Sequence, residues 1–463
     1  MRSRSLSSAL SRFAFTGGVE GADTQVAASR IAAAHRLLIE LLPDECDLCI
    51  ATKPGGFTRG GVLSPSLLVL LLLFMAADAG QHGYQSLLES FWDEAQRAGV
   101  ELPCQRVPAA ASFCNARRKL RPEALRATLR TLAKGLLARN APRWHGLRVF
   151  AIDASRFCVQ RSPALWERCG AAHGAATPQV QVTTLFELFA EFPLDVDVGP
   201  YRSSERAQAA SHLDCLSPGD LVVLDRGYPS FGFLRDLLSR GLHFAVRVPS
   251  SSTFPAVIRF LASSRNDAEI EVAPSSDFVQ DHPGEVAEPL RLRVVRLRAP
   301  DGATTVILTT LARRKFTRRD IELLYRRRWR IEEHYKLVKS DHFGQRQFHA
   351  KTFAGVAQEI YAQALLVVVT RSLAAAAVGL PRDAARRPTT RVHIKAAVSA
   401  VGRHLVELML HDDTDRLWVL VAKLQEQIRR RVQPLRPRRR CARRSYKPSS
   451  KWHANGRRGS RLR

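Results

Sequence analysis

Residues 146–153 read GLRVFAID, and residues 221–225 read LVVLD. Both are short apolar runs rich in β-branched residues, the pattern of a buried strand, and both close on an acid. An acid at the end of such a strand puts its charge at the rim of a sheet, where water or a metal can reach it. Buried without a partner, it would cost several kcal/mol. Asp153 closes the first run, and Asp225 closes the second before Arg226-Gly227-Tyr228, where Gly227 is expected to permit a tight exit turn. Either acid alone is equally suited to an ordinary turn. Between them, residues 179–189 (QVQVTTLFELF) and 192–198 (FPLDVDV) read as two more strands, and residues 204–213 as a helix. Asp195 and Asp197 alternate with Leu194, Val196 and Val198, as expected of a polar sheet face. A further helix is predicted over residues 229–240.

The resulting order, β-β-β-α-β-α, is that of the ribonuclease-H-like fold. From residue 243 to 310 the text is β-rich again (HFAVRV, AEIEVA, LRLRVVRLR, TTVILTT), with a short helix near residues 256–261. Long helices resume over 318–340 and 353–378, with two more between 392 and 431. Upstream of residue 146 the periodicity is helical, over 26–42, 66–79, 81–98, 111–120 and 122–139, with Pro122 placed to open the last of these. The expected fold class is therefore α/β: a ribonuclease-H-like core, a mixed sheet with flanking helices, interrupted by a β-rich insertion. An all-helical N-terminal domain precedes it and a helical, basic C-terminus follows. The expected division is a helical DNA-binding region over 1–145, a split core over 146–247 and 318–380, the insertion over 248–317, a helical region over 381–431 and a disordered basic tail over 432–463.

Charge is the outlier in composition. The chain of 463 residues has 71 Lys+Arg against 43 Asp+Glu, a formal net charge of +28. Self-repulsion on that scale points to a polyanionic partner and away from enzymes of small neutral metabolites. The last 35 residues hold 15 Lys/Arg and no Asp/Glu, and without them 56 basic residues still face 43 acidic ones. The tail reads as phosphate-seeking or merely solubilising. On the 111–139 helix pair, Arg117, Arg118, Lys119, Arg121, Arg126, Arg130 and Lys134 form either a DNA-docking stripe or a solvated face. The longest uninterrupted apolar run is 11 residues, 67–77, too short to span a bilayer, and no signal peptide is evident. The eight cysteines are sparse, and Cys46-Asp-Leu-Cys49 lacks a second ligand pair, so free thiols in a reducing cytosol are expected.

Residues 325–339 read YRRRWRIEEHYKLVK. Tyr325, Arg328, Glu332 and Lys339 follow at steps of 3, 4 and 7. At about 100° per residue the stripe closes within about 40° of four turns, so phenol, guanidinium, carboxylate and ammonium share one face. By itself this could be a salt-bridged solvent face with Arg328–Glu332 as an i,i+4 pair. Taken with Asp153 and Asp225, Glu332 completes a set of hard oxygen ligands suited to Mg²⁺ or Mn²⁺. Two such ions could activate a water or 3′-hydroxyl and stabilise the leaving oxygen of a phosphodiester. Glu333 is expected to face solvent or make a salt bridge, His334, His342 and His349 have no assigned catalytic role, and Arg247 either approaches the site or pairs structurally.

Asp153, the Asp225-Arg-Gly-Tyr228 turn and the Tyr325-x2-Arg328-x3-Glu332-x6-Lys339 stripe resemble the DDE transposases of bacterial insertion sequences, the insertion-sequence-four family with its Y-R-E-K signature. Trp329-Arg-Ile-Glu332 is similar to that family's wording before the Glu, and a β-rich insertion between second Asp and Glu is also a family trait. The resemblance implies a catalytic, metal-binding triad of Asp153, Asp225 and Glu332, holding two Mg²⁺ or Mn²⁺ ions, and phosphate contacts from Tyr325, Arg328 and Lys339. It implies DNA strand cleavage and transfer at the ends of a mobile element, with terminal inverted repeats and target DNA as partners and a dimer in the synaptic complex. A cytoplasmic, nucleoid-associated location and no membrane partner are expected. Some members form a hairpin with a base flipped onto a Trp of the insertion, but residues 248–317 contain no Trp. Readings from other classes are a catalytically silent DNA-binding relative and a nuclease of the same fold.

Overall fold

The computed structural model describes residues 57, 61–78, 83–140, 142–249, 254–298, 304–339, 348–378, 390–411 and 413–435. The expected helix over 26–42, the Cys46/Cys49 pair, His342 and the tail from residue 436 lie outside them. The described elements begin with helices α1 (Pro65–Ala77), α2 (Tyr84–Ala98), α3 (Ala110–Lys119) and α4 (Pro122–Asn140). Then come β1 (Val149–Cys158), α5 (Pro163–Cys169), β2 (Gln179–Glu187), β3 (Phe192–Pro200), α6 (Glu205–His212), β4 (Leu221–Leu224), α7 (Phe231–Ser239) and β5 (His243–Val248). The β-rich stretch holds α8 (Pro255–Ala262), β6 (Asp267–Val272), α9 (Ser276–Asp281), β7 (Leu290–Arg298) and β8 (Thr304–Thr309). After it come α10 (Arg318–Arg327), α11 (Trp329–Val338), α12 (Phe353–Val378), β9 (Thr390–Val392), α13 (Ile394–Gly402), α14 (Leu405–Leu410), α15 (Thr414–Arg429) and β10 (Val432–Pro434).

Eight strands form one mixed sheet in the order β3-β2-β1-β4-β5-β8-β7-β6. The β1-β2-β3 meander is antiparallel, while β4 and β5 run parallel to β1 through the helical crossovers α6 and α7. The strands of the β-rich stretch extend this same sheet, because β8 pairs with β5 and β7 and β6 follow outward. The N-terminal helices share the sheet's hydrophobic core. α4 packs directly on β3, and α12 packs on α1, α4 and β3 and also on α13 and α15.

By length and composition this 26-residue helix could cross a membrane, yet 78% of its most apolar window is buried inside the fold. Counting only uninterrupted apolar runs passes over α12, because Gln358, Glu359, Gln363 and Arg371 break its text. Gln358 and Glu359 are buried because they hold Arg117. The Arg117 guanidinium donates to Gln358 Oε1 (3.0 Å), the Tyr84 hydroxyl (2.8 Å), Gly355 O (3.1 Å) and Glu359 Oε1 (3.1 Å).

Arg117 is therefore not a DNA contact: it is 5% exposed and has its donors turned inward. Arg126 and Arg130 need the same correction. Both make two hydrogen bonds to Asp195, at 2.7–2.9 Å, and Arg126 also bonds Asp197 at 2.7 Å. Asp195 is fully buried rather than on a polar sheet face, and His212 Nδ1 lies 2.7 Å from it. These two arginines join α4 to β3. Arg118 and Lys119 remain on the exposed side of α3.

Two stability predictions follow from these buried charges. Arg117→Ala leaves Glu359 buried without its cation, so urea denaturation should show a loss of about 3–5 kcal/mol. At the end of β2, burial pushes the Glu187 carboxyl up to about 8, against the N–H groups of Ala190 and Phe189. The folded state thus keeps a proton that the unfolded chain releases from its ordinary value near 4.5 upward. Stability should fall as pH rises through that window. Glu187→Gln removes this contribution, so the variant should gain on the wild type between pH 5 and pH 8; parallel pH profiles would refute the assignment.

Candidate active site

β1 and β4 run parallel and in register to Ile152↔Leu224, so Asp153 and Asp225 occupy the next position on adjacent strands. β4 stops there. β1 does not: it continues to Cys158, held on one side by β2, whose Thr184 pairs with Asp153. Asp153 is therefore within a strand, a correction to the strand-end expectation, and reaches solvent because its neighbour on the β4 side has ended. Carboxyl ends of parallel strands are the usual location of sites in α/β sheets. Gly227 lacks a positive φ, and a Cβ there would meet only Glu205 Oε2, at 3.7 Å. The exit turn thus does not require glycine for its backbone.

Glu332 comes from a helix that the spacing predicts as continuous over 318–340 but that breaks at Arg328 into α10 and α11. A Thr317–Asp320 capping box starts α10. At the break Arg328 keeps right-handed helical dihedrals (φ −49°, ψ −32°), so Tyr325 and Glu332 still flank it. α11 is anchored from behind: Arg330 reaches Glu191 (3.2 Å) and Glu333 (2.8 Å), Arg371 of α12 reaches Glu191 (2.9 Å), and Arg391 reaches Glu333 (2.9 Å).

The guanidinium of Arg328 sits among the three acids. Nη2 is 2.7 Å from Glu332 Oε1 and 3.8 Å from Asp225 Oδ2, and Nη1 is 3.4 Å from Asp153 Oδ2. Arg328 is 7% exposed; its charge is turned inward rather than displayed to a phosphate. The Tyr325 hydroxyl donates to Asp225 Oδ1 (2.9 Å), and Arg247 lies 3.7 Å from the same oxygen, which settles its two readings in favour of the site. Burial pushes Asp153 up to about 6 against the pull of Arg328. Burial would raise Asp225 too, but the Arg226 N–H, Arg328, Tyr325 and Arg247 together hold it below the ordinary carboxylate range. The Lys339 ammonium donates to Ser155 Oγ (2.6 Å) and Arg156 O (2.8 Å), at the exposed continuation of β1.

Two further side chains, Tyr335, to which the sequence assigns no role, and Tyr228 of the Asp225-Arg-Gly-Tyr228 turn, complete the frame. The Tyr335 hydroxyl lies 2.7 Å from Asp153 O, 3.1 Å from Val182 O and 3.1 Å from Thr184 Oγ1, tying the Glu332 helix to the strand of Asp153. Tyr228 is 1% exposed, and its backbone N–H donates to Asp225 O (3.3 Å). His334 is structural: it is buried against Phe186, and burial pushes it down to about 3. Among the described residues, no group of three or more His, Cys, Asp or Glu side chains is preassembled around a metal position. The donor set still fits a hard divalent cation, since carboxylate oxygens from three elements converge on one positive group and, among the described residues, no group of imidazoles or thiols competes.

The transposase DDE domain model matches residues 144–369, which include Asp153, Asp225 and Glu332. The transposase InsG for insertion sequence element IS4 of Escherichia coli (strain K12) is 25% identical over 308 residues, 64% of this chain and 66% of that protein. InsZ of the same organism, whose naming as a transposase is provisional, is 31% identical over 103 residues, 21% of this chain and 34% of that protein. The chain thus spans about a third of one curated relative and just under two thirds of the other. A cryo-EM structure of a piggyBac transposase synaptic complex with hairpin DNA has a TM-score of 0.41 and 10% identity, over 90% of this chain and 88% of that one. Residues 144–369, which hold all three acids, thus form a transposase DDE domain, and the chain is similar to the transposase of insertion sequence element IS4.

Proposed function

We propose that the protein cuts DNA at the ends of a mobile element and joins the freed ends to target DNA. The observation that carries this is the convergence of Asp153, Asp225 and Glu332, 179 positions apart at the extremes of the sequence, within 4 Å of one guanidinium. The strand order β3-β2-β1-β4-β5, with β2 alone antiparallel within it, supports a ribonuclease-H-like core. In this reading the three carboxylates hold Mg²⁺ or Mn²⁺, two ions in the full complement. The bound ions supply Lewis-acid activation of the attacking oxygen and stabilisation of the leaving one. Tyr325 orients Asp225 through its hydroxyl, and Tyr335 fixes the spacing of the Asp153 strand and the Glu332 helix. Arg328 becomes redundant as a counter-charge once the carboxylates hold a cation, and its fork then suits a backbone phosphate. Lys339, at the exposed end of β1, marks where the backbone would continue. The overall balance is two successive displacements at phosphorus: water oxygen bonds to one phosphorus as its P–O3′ bond breaks and frees a 3′-hydroxyl, and that oxygen then bonds to a target phosphorus as the target's own 3′-oxygen leaves as a hydroxyl.

The partners in this reading are duplex DNA, at the terminal inverted repeats and at the target, and a second copy of the chain in the synaptic complex. The work is done in the cytoplasm, on the nucleoid. The net charge of +28 supports a polyanionic partner. The test is Mg²⁺-dependent nicking of duplexes carrying the element's own ends. Glu332→Gln should lower the nicking rate by at least about 100-fold while leaving salt-dependent duplex binding in place. Nicking by this variant at the wild-type rate would reject the assignment, and element-end binding without any nicking would make the protein a silent DNA-binding relative.

A further inference from the structure

Across the sheet the acids give way to arginines. β5 runs parallel to β4 in register to Leu224↔Val246, so Arg247 follows Asp225 just as Asp225 follows Asp153. Beyond β5 the sheet continues through β8 to β7, where Val306 pairs with Val248 on one side and Arg296 on the other. A cleft of about 300 Å³ lies here, lined in part by Arg226, Arg247, Arg296, Arg298 and Thr304. At a strand spacing of about 4.8 Å, the Arg296 backbone is roughly 15 Å from that of Asp225. Lys339 lies on the other side of the acids, beside β1.

Arginines at a strand end can be an ordinary solvated surface. Two observations make that explanation insufficient here. The first is the charge of the cleft: four guanidinium groups line it, and no Asp or Glu is among its described lining residues. Arg247 is answered by Asp225 at 3.7 Å. The side chains of Arg226 and Arg298 are exposed and have no hydrogen bond or ion pair among the described residues. The second is Arg296, which is only 9% exposed. Its Nη2 donates to the carbonyls of Phe260, Leu261 and Ser263 at 2.9–3.0 Å, whereas its buried Nε has no partner. A buried cationic N–H left unmatched in the wall of a cleft calls for an acceptor. Like charges gathered around one space repel, and an anion seated among them removes that cost. A phosphate suits the place, because guanidinium forks match its oxygens in pairs.

We infer that this cleft holds a backbone phosphate of the DNA strand where it leaves the acids toward β5, β8 and β7, gripped by Arg226 and Arg298. The inference rests on the DNA-cutting reading above and adds the direction the strand takes. At about 3.4 Å of helix axis per phosphate, the held group lies within about four phosphates of the cut. The test is equilibrium binding of element-end duplexes by the full chain, without Mg²⁺ so that no strand is cut. Single phosphates on either side of the cut are replaced in turn by neutral methylphosphonates. For the wild type, one replacement, on one side only, should weaken binding about tenfold. Arg226→Ala/Arg298→Ala should weaken binding of the unmodified duplex by at least that factor, and the same replacement should then cost nothing more. Arg291→Ala, at the exposed opposite end of β7, should respond to the replacement as the wild type does. Thermal unfolding should match wild type in both variants, which separates a phosphate grip from a structural role. If the replacement costs the double variant as much as it costs the wild type, the cleft does not hold that phosphate. If no replacement near the cut weakens wild-type binding, the phosphate site is likewise rejected. Neither result touches the proposed function, which fails on a separate readout, nicking by Glu332→Gln at the wild-type rate.

Discussion

Three carboxylates cannot be brought to one point in a partly buried site unless something positive stands between them, and here that group is the guanidinium of Arg328. A planar fork with several donors can serve three acids at once, where an ammonium would bind as a point charge. The site therefore requires the β1–β4 register that makes Asp153 and Asp225 neighbours, and the helical dihedrals kept at Arg328 between α10 and α11, which leave Tyr325 and Glu332 flanking it. It also requires the buried chain of Arg371, Glu191 and Arg330, which fixes α11 from the side away from the acids.

The same electrostatics divides the chain's basic residues into two populations. Arg117, Arg126, Arg130, Arg148 and Arg293 each pair with a carboxylate inside the fold or at its seams. They contribute to the formal charge while offering little to a polyanion, so net charge overstates the surface available to DNA. The remaining exposed cations, Lys339 among them, are the ones a phosphate backbone could meet.

Much of the architecture was legible because it is local. Alternating apolar residues marked β1 to β5, a 26-residue helical period marked α12 at its observed ends, and the 3 and 4 steps from Tyr325 to Glu332 placed them around Arg328. Short elements were less visible. The short helices α5 and α9 carry too few residues for a period to show, and three helices, not two, occupy the stretch between residues 392 and 431. The break at Arg328 left no mark in the text either, because Arg328 retains helical dihedrals and only the hydrogen-bond ladder is interrupted.

The residue spacing by itself determined which side chains share a strand or a helix face, and with that the three acids and the Tyr325-Arg328-Glu332 cluster. Only the tertiary structure decided that Asp153 lies within a strand rather than at its end, that Arg117 is in the core, that Arg328 faces the carboxylates, and that Tyr335 ties the strand of Asp153 to the helix of Glu332. The reason is range. A helical or pleated period relates residues a few positions apart, whereas ion pairs and burial depend on which segments pack together, and Arg117 meets Glu359 only because α12 threads between the helices and the sheet.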